Sequence, residues 1–101
     1  MPADLRALAE IDRLIHEPAR LALTAILSVV DSADFLYLQR ETGLTKGNLS
    51  SHLAKLEEAG YVAIEKTYRG RVPLTLVRLT DAGAAAYRAY RARFKKFLEK
   101  R

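Results

Sequence analysis

The sequence predicts a mainly α-helical fold that carries one small β-hairpin. Three observations predict it. Apolar residues recur at three- and four-residue steps over most of the 101-residue chain, the period of helices with one buried face. The stretch Val62 to Leu79 instead alternates in the manner of strands and is interrupted by Arg69-Gly70-Arg71. The helical segments are separated by proline, aspartate and glycine at positions that start or stop helices. Half the residues are hydrophobic and 29% are charged, which fits one folded domain rather than a disordered chain.

Each element follows in order. Leu5, Leu8, Ile11, Leu14 and Ile15 predict a first amphipathic helix from about Ala3 to His16. Pro18 interrupts it and suits the first turn of the next helix, because its missing N–H would have no partner there. "PARLALTAILSVV" is apolar on most sides and reads as a central buried helix, and "DSAD" breaks it. Asp34 is placed to cap a short helix, "FLYLQRET", with Phe35 and Leu38 facing inward and Gly43 as its C-terminal stop. Thr45 then caps a helix whose Leu49, Leu53 and Leu56 form an inward stripe, closed by Gly60. Two helices, about Asp34–Thr42 and Thr45–Ala59, joined through Gly43 and Leu44, make a helix-turn-helix. Val62 and Ile64 on one face of "YVAIEKTY", the turn "RGR" and the return "VPLTLVRL" make a hairpin with a basic tip, Pro73 being tolerable near an edge. A helix-turn-helix followed directly by such a hairpin is a winged helix. Thr80 caps a long last helix.

The helix after Thr45 has an unusual outer face. With Leu49 at the centre of its buried side, Gly47, Ser51, Ala54 and Glu58 lie nearly opposite, flanked by Asn48 and Lys55 on one side and by Ser50 on the other, with His52 at the border of the core. A helix entering the major groove leads with its N-terminal turns. Those turns offer Lys46 and Asn48, whose amide suits bidentate pairing with adenine. Ser51 suits a base edge or a phosphate, and Lys55 a phosphate. The helix start at Thr45 favours a phosphate through its free N–H groups. Gly47 costs about 1 kcal/mol relative to alanine in a helix interior, a cost that close approach to a nucleic-acid backbone would explain. Glu57 and Glu58 repel phosphates and limit base contacts to the first two or three turns. Arg69 and Arg71 at the hairpin tip suit a phosphate or the minor groove. The plain alternatives are that Asn48 caps the helix, that Ser50 and Ser51 are solvated surface, that His52 is a half-buried structural histidine, and that the two arginines merely flank a turn.

The last helix carries Gly83, Tyr87, Tyr90, Phe94 and Phe97 at steps of four and three, a heptad-like seam. It serves either packing within one chain or a dimer interface. Four aromatics on a terminal helix favour a dimer in which Tyr87, Tyr90, Phe94 and Phe97 meet a partner together with Leu5, Leu8 and Ile11. The expected organisation is one domain over residues 1–101: an N-terminal helix over 1–16, a winged-helix body over 18–79 and a C-terminal dimerisation helix over 80–101.

The chain resembles the small MarR/ArsR-like winged-helix transcriptional regulators of bacteria and archaea. The likeness rests on "HEPARLALTAIL", on "ADFLYLQRETGLTKGNLSSHLAKLEEAGYV", on "IEKTYRGRVPLT" and on "LTDAG", and it covers nearly the whole chain. It implies a DNA-binding homodimer on a palindromic operator, probing the major groove with the helix after Thr45. N- and C-terminal helices often supply the dimer contact in that group. This wing departs from the pattern, since Val72 and Leu74 stand where related wings are often more basic. The resemblance leaves room for a small-molecule effector bound between protomers, although no residue set defines its pocket.

Composition narrows the classes further. The net charge is +5 and the pI about 9.7, which points toward polyanions. The charge is concentrated after Tyr87, where seven lysines and arginines face the single acid Glu99. No cysteine is present, which removes disulfides and thiolate chemistry and leaves a cytoplasmic setting as the default. No apolar run approaches the ~20 residues of a membrane span, and the N-terminus carries no secretion signal. Catalysis lacks a constellation: Ser51 and His52 are neighbours on a helix and do not face each other. No cofactor motif is found. A metal sensor would need His16, Glu17 and Asp12, an ordinary set without thiolates. The remaining alternatives are a winged helix that binds protein and a non-specific DNA architectural protein.

Overall fold

The computed structural model describes Arg6 and residues 9–99. Its elements are α1 (Pro18–Leu27), β1 (Ala33–Asp34), α2 (Phe35–Thr42), α3 (Lys46–Glu58), β2 (Val62–Arg69), β3 (Val72–Leu79) and α4 (Asp81–Glu99). This is a winged helix. The sheet is antiparallel in the order β1-β3-β2. β1 was not expected from sequence. Its two residues are too few to show alternation, and they become a strand only because Ala33 and Asp34 pair with Val77 and Leu76.

The helix ends follow local chemistry. Pro18 opens α1, and Glu17 caps it, its side chain accepting from the Arg20 N–H at 2.8 Å. Asp34 caps α2 by accepting from the Tyr37 N–H, and Gly43 ends it with φ 71°. That left-handed conformation costs glycine little and other residues more. Thr45 caps α3, its hydroxyl accepting from the Asn48 N–H at 3.1 Å. In the hairpin, Arg69 pairs with Val72, so Gly70 and Arg71 are the two loop residues. A positive φ at Gly70 alone is the pattern of a type II′ turn, whose twist matches the strands. Pro73 lies beside Tyr68 in the next pair, where its missing N–H takes no hydrogen bond from β2.

The first segment departs from expectation. Arg6 and Ala9 are helical, but residues 11–17 are not, so the helix expected to reach His16 stops before Ile11. Asp12 is the reason. Its Oδ1 accepts from the N–H groups of Leu14 and Ile15 at 2.9 and 3.2 Å, offering the backbone a local turn in place of the helix. The apolar period survives as burial: Ile11 is 6% exposed and Ile15 is fully buried.

Two apolar clusters result. The larger joins Leu23 and Leu27 of α1, Leu38 of α2, Leu49, Leu53 and Leu56 of α3, and Val62 and Val77 of the sheet. The smaller joins Ile11 and Ile15 to Tyr90 of α4, with Tyr87 and Phe94 packed against it. The aromatic seam is thus divided. Tyr90 is spent inside the protomer with Ile11, and neither has surface to give a partner, a correction to their expected place in a dimer interface. Tyr87, Phe94 and Phe97 are half-buried, and Leu5 and Leu8 lie outside the described residues. The Cα radius of gyration is 15.2 Å, against ~13 Å for a compact chain of ~100 residues. The molecule measures 59 × 25 × 21 Å, and α4, roughly 28 Å long at 1.5 Å per residue, contributes to that length.

Candidate nucleic-acid interface

The face singled out in α3 is open. Thr45, Lys46, Gly47, Asn48, Ser50, Ser51 and Lys55 are all exposed. Thr45, not Asn48, caps the helix. Among the described residues no hydrogen bond occupies the Asn48 side chain, and no ion pair holds Lys46 or Lys55. The amide and both ammonium groups therefore remain available to a ligand.

The two flanks of α3 meet different neighbours. On one flank Lys46, Ser50, Ala54 and Glu57 face the hairpin across an open trough of about 820 Å³. Phe35 and Leu36 of α2, Ile64, Lys66 and Arg69 of β2, and Val72 to Thr75 of β3 complete its walls. Thus Lys46, Ser50 and Arg69 are brought together, whereas Arg71 is not part of the trough lining. Lys66 was missed in the sequence. Val62, Ile64 and Lys66 alternate onto one face of β2, and reading that parity past the apolar pair would have found it.

On the other flank His52 turns inward. It is half-buried, with its Nδ1 3.1 Å from Nη1 of Arg20 and 3.8 Å from Oε1 of Glu17. A guanidinium can only donate, so Nδ1 accepts and the ring proton sits on Nε2. This is the half-buried structural place that the sequence left open for His52, tying α3 to α1, rather than an exposed position among the DNA-contact candidates. Arg20 also donates from Nε to the Leu14 carbonyl at 2.6 Å. The Glu17 carboxyl is held below its usual pKa, first by the Arg20 backbone N–H and then, against the opposing effect of burial, by the charge that His52 carries when its ring is protonated and by the Arg20 charge.

A second tie lies just beyond the end of α3. The Tyr61 hydroxyl donates to Asp12 Oδ2 at 2.6 Å, and this bond, with burial and the Asp12 charge, pushes the Tyr61 pKa up to about 12. The Tyr61 carbonyl accepts from the Thr80 N–H at 3.0 Å. It also abuts Gly83, where a Cβ would sit 2.0 Å from that oxygen. Nearby, His16 Nδ1 lies 2.7 Å from the Tyr90 hydroxyl, and burial raises the Tyr90 pKa. Among the described residues no three histidine, aspartate or glutamate side chains gather into a metal-binding group. No helix among them is long and apolar enough to cross a membrane.

The model of a winged helix DNA-binding domain family matches residues 19–98. The chain belongs to that family. An uncharacterized protein of Methanocaldococcus jannaschii is 35% identical over 79 residues, covering 77% of this chain and 85% of that protein. The uncharacterized HTH-type transcriptional regulator YcgE of Bacillus subtilis is 36% identical over 76 residues, 66% of this chain and 49% of that protein. A solved transcriptional regulator homologue from Pyrococcus horikoshii superposes with a TM-score of 0.88 at 31% identity, covering 93% of this chain and 95% of that one. A PadR family transcriptional regulator from Eggerthella lenta shares the fold, with a TM-score of 0.66 at 22% identity over 86% of this chain and 84% of that one. The family is one of DNA-binding domains rather than enzymes. Membership reaches the winged-helix regulators as a group, without singling out the MarR/ArsR-like branch.

Proposed function

We propose that this protein is a sequence-specific transcriptional regulator of the MarR/ArsR-like kind, a cytoplasmic homodimer that represses by occupying a palindromic operator. Each protomer lays α3 in the major groove. Asn48 and Ser51 meet base edges, Lys46 and Lys55 meet phosphates, and Arg69 and Arg71 hold the flanking backbone or minor groove. One observation carries this reading: an exposed helix face whose hydrogen-bonding side chains take no ion-pair partner among the described residues, in a family of DNA-binding domains. The dimer is supported by the half-buried Phe94 and Phe97, stacked at 6.3 Å near the end of α4. An effector would act by changing the distance between the two recognition helices.

The test is selection from random duplex DNA at about physiological salt, followed by sequencing of the bound pool. An inverted repeat with half-sites about 10 base pairs apart, or a small multiple of that, is expected. Salt-sensitive binding without an enriched sequence would overturn the specific reading in favour of an architectural protein. Absence of binding would reassign the α3 face to a protein partner.

A further inference from the structure

We propose that the trough between α3 and the hairpin is a track for one phosphodiester strand, and that Lys66 clamps the strand from the hairpin side. The proposal rests on the DNA-binding reading and extends it to Lys66, a residue outside the α3 face and the hairpin tip, and to the trough that lies between them.

Lys66 occupies an unusual place. It continues the face of β2 that begins with buried Val62 and half-buried Ile64, yet it is a lysine and exposed. Its cross-strand neighbour is Thr75, which carries no charge. Lys46 and Arg69 line the same trough, and among the described residues none of the three cations has an ion-pair partner. Of the two acids in the lining, Asp34 is engaged in capping α2. Glu57 is the acid left over. Three cations against two carboxylates leave the lining of this concave surface net positive, which favours an anion.

The arrangement has a direction. β2 leaves the C-terminal end of α3 and still lines the same trough as Lys46, so it climbs back alongside the helix. From Val62 to Lys66 it rises roughly 13 Å, against a length of about 20 Å for α3. Lys66 and Arg69 therefore lie toward the Lys46 end of the trough, and Glu57 toward the other. A strand bound at the cationic end passes the first two turns of α3, where Ser50 offers a hydroxyl. It is turned away at Glu57. This track joins the backbone contacts of the recognition helix to those of the hairpin tip.

The test compares salt dependences on the selected operator and on a random duplex. Each phosphate contact contributes about 0.9 to the log–log slope, or about 3.5-fold in affinity between ~50 and ~200 mM salt. Lys66→Ala is expected to flatten the slope by about 0.9 for each engaged protomer, and so by about 1.8 for a dimer, equally on both duplexes. Lys66→Arg should keep the slope. Arg78→Ala, which removes one exposed charge at the other end of the same sheet, should also keep it, so that a general charge effect is excluded. An unchanged slope for Lys66→Ala, with wild-type protein binding its operator, would overturn the track and leave the DNA-binding reading standing. Saturable binding of inorganic phosphate alone that Lys66→Ala abolishes, with DNA affinity intact, would overturn it in favour of a small-anion site. Wild-type protein that binds no DNA would remove both.

Discussion

The same substitution at two glycines should have opposite effects. Gly47 sits in the first turn of α3, and a Cβ there would meet nothing within 4 Å. Its φ is not in the positive region. Gly47→Ala therefore gains helix propensity and restricts the unfolded chain, a stabilisation of about 0.5–1 kcal/mol. Gly83, in the first turn of α4, is buried. Its Cβ would lie 2.0 Å from the Tyr61 carbonyl oxygen and 2.9 Å from Leu79 Cδ1, where ordinary contact begins at 3.4 Å. That oxygen is already bonded to the Thr80 N–H, so the helix cannot retreat without loosening its own start. Overpacking of this kind costs ~1–3 kcal/mol, and a weakened hydrogen bond costs ~1 kcal/mol more. Against a propensity gain of ~1 kcal/mol, Gly83→Ala should lose about 2 kcal/mol. At ~4–8 °C per kcal/mol, the Tm should rise by roughly 2–8 °C for Gly47→Ala and fall by roughly 8–16 °C for Gly83→Ala. Thermal denaturation at one fixed protein concentration reads both, since the proposed dimer would unfold in a concentration-dependent way. The decisive measurement is operator affinity at Gly47. If close approach to the DNA backbone is why glycine stands there, Gly47→Ala gains stability and loses affinity together. A more stable variant with unchanged affinity would refute that reason, and a neutral Gly83→Ala would refute the packing account of α4.

The other expected outcomes concern the two faces of the molecule and their ties. Lys55→Ala should weaken binding to all duplexes alike and flatten the salt slope by about 0.9 per engaged protomer. Asn48→Ala should relax discrimination at one base position by about 1–3 kcal/mol, and equal loss on every sequence would remove Asn48 from base readout. Phe94→Ala should shift the dimer toward monomer in sedimentation, and an undisturbed dimer would place the interface elsewhere. Tyr61 has a folded pKa of about 12, raised from 10.0, so its contribution is fully present below pH 10 and lost as pH rises from 10 to 12. Tyr61→Phe should be less stable at neutral pH and show a shallower alkaline decline, which denaturant unfolding across that range checks.

Most of the fold was legible because each element carries its own local signal. Thr45, Asp34 and Gly43 mark helix ends by side-chain and backbone chemistry that needs no tertiary context, and all three act as read. Gly70 marks the turn in the same way. The failures come where tertiary pairing or a competing side chain decides. Ala33 and Asp34 are a strand only through Val77 and Leu76. The run Leu5 to Ile15 has a helical period throughout, yet Asp12 diverts its last part into a turn. A helical wheel placed His52 at the border of the core but could not name its neighbours, because Glu17 and Arg20 come from a different helix and its cap. The aromatic seam gave the correct face of α4 but not which of its residues an internal partner would consume.

The two ties on α3 explain how so short a helix can present one face reproducibly. Its apolar stripe, Leu49, Leu53 and Leu56, fixes which side is buried, but apolar packing is non-directional and tolerates small rotations about the helix axis. Directional bonds do not. The bond from Arg20 to His52 holds the flank opposite the hairpin at mid-helix, and the Tyr61–Asp12 bond holds the chain just past the C-terminal end. Both lead into residues 11–17, because Arg20 also grips the Leu14 carbonyl and Asp12 organises the turn there. That segment in turn carries Ile11 and Ile15 onto Tyr90 of α4. A rotation of α3 large enough to bring Asn48 toward the hairpin would break both bonds and disturb the packing under α4. The roll of α3 and the seat of the terminal helix are therefore set by one short, hydrogen-bonded joint.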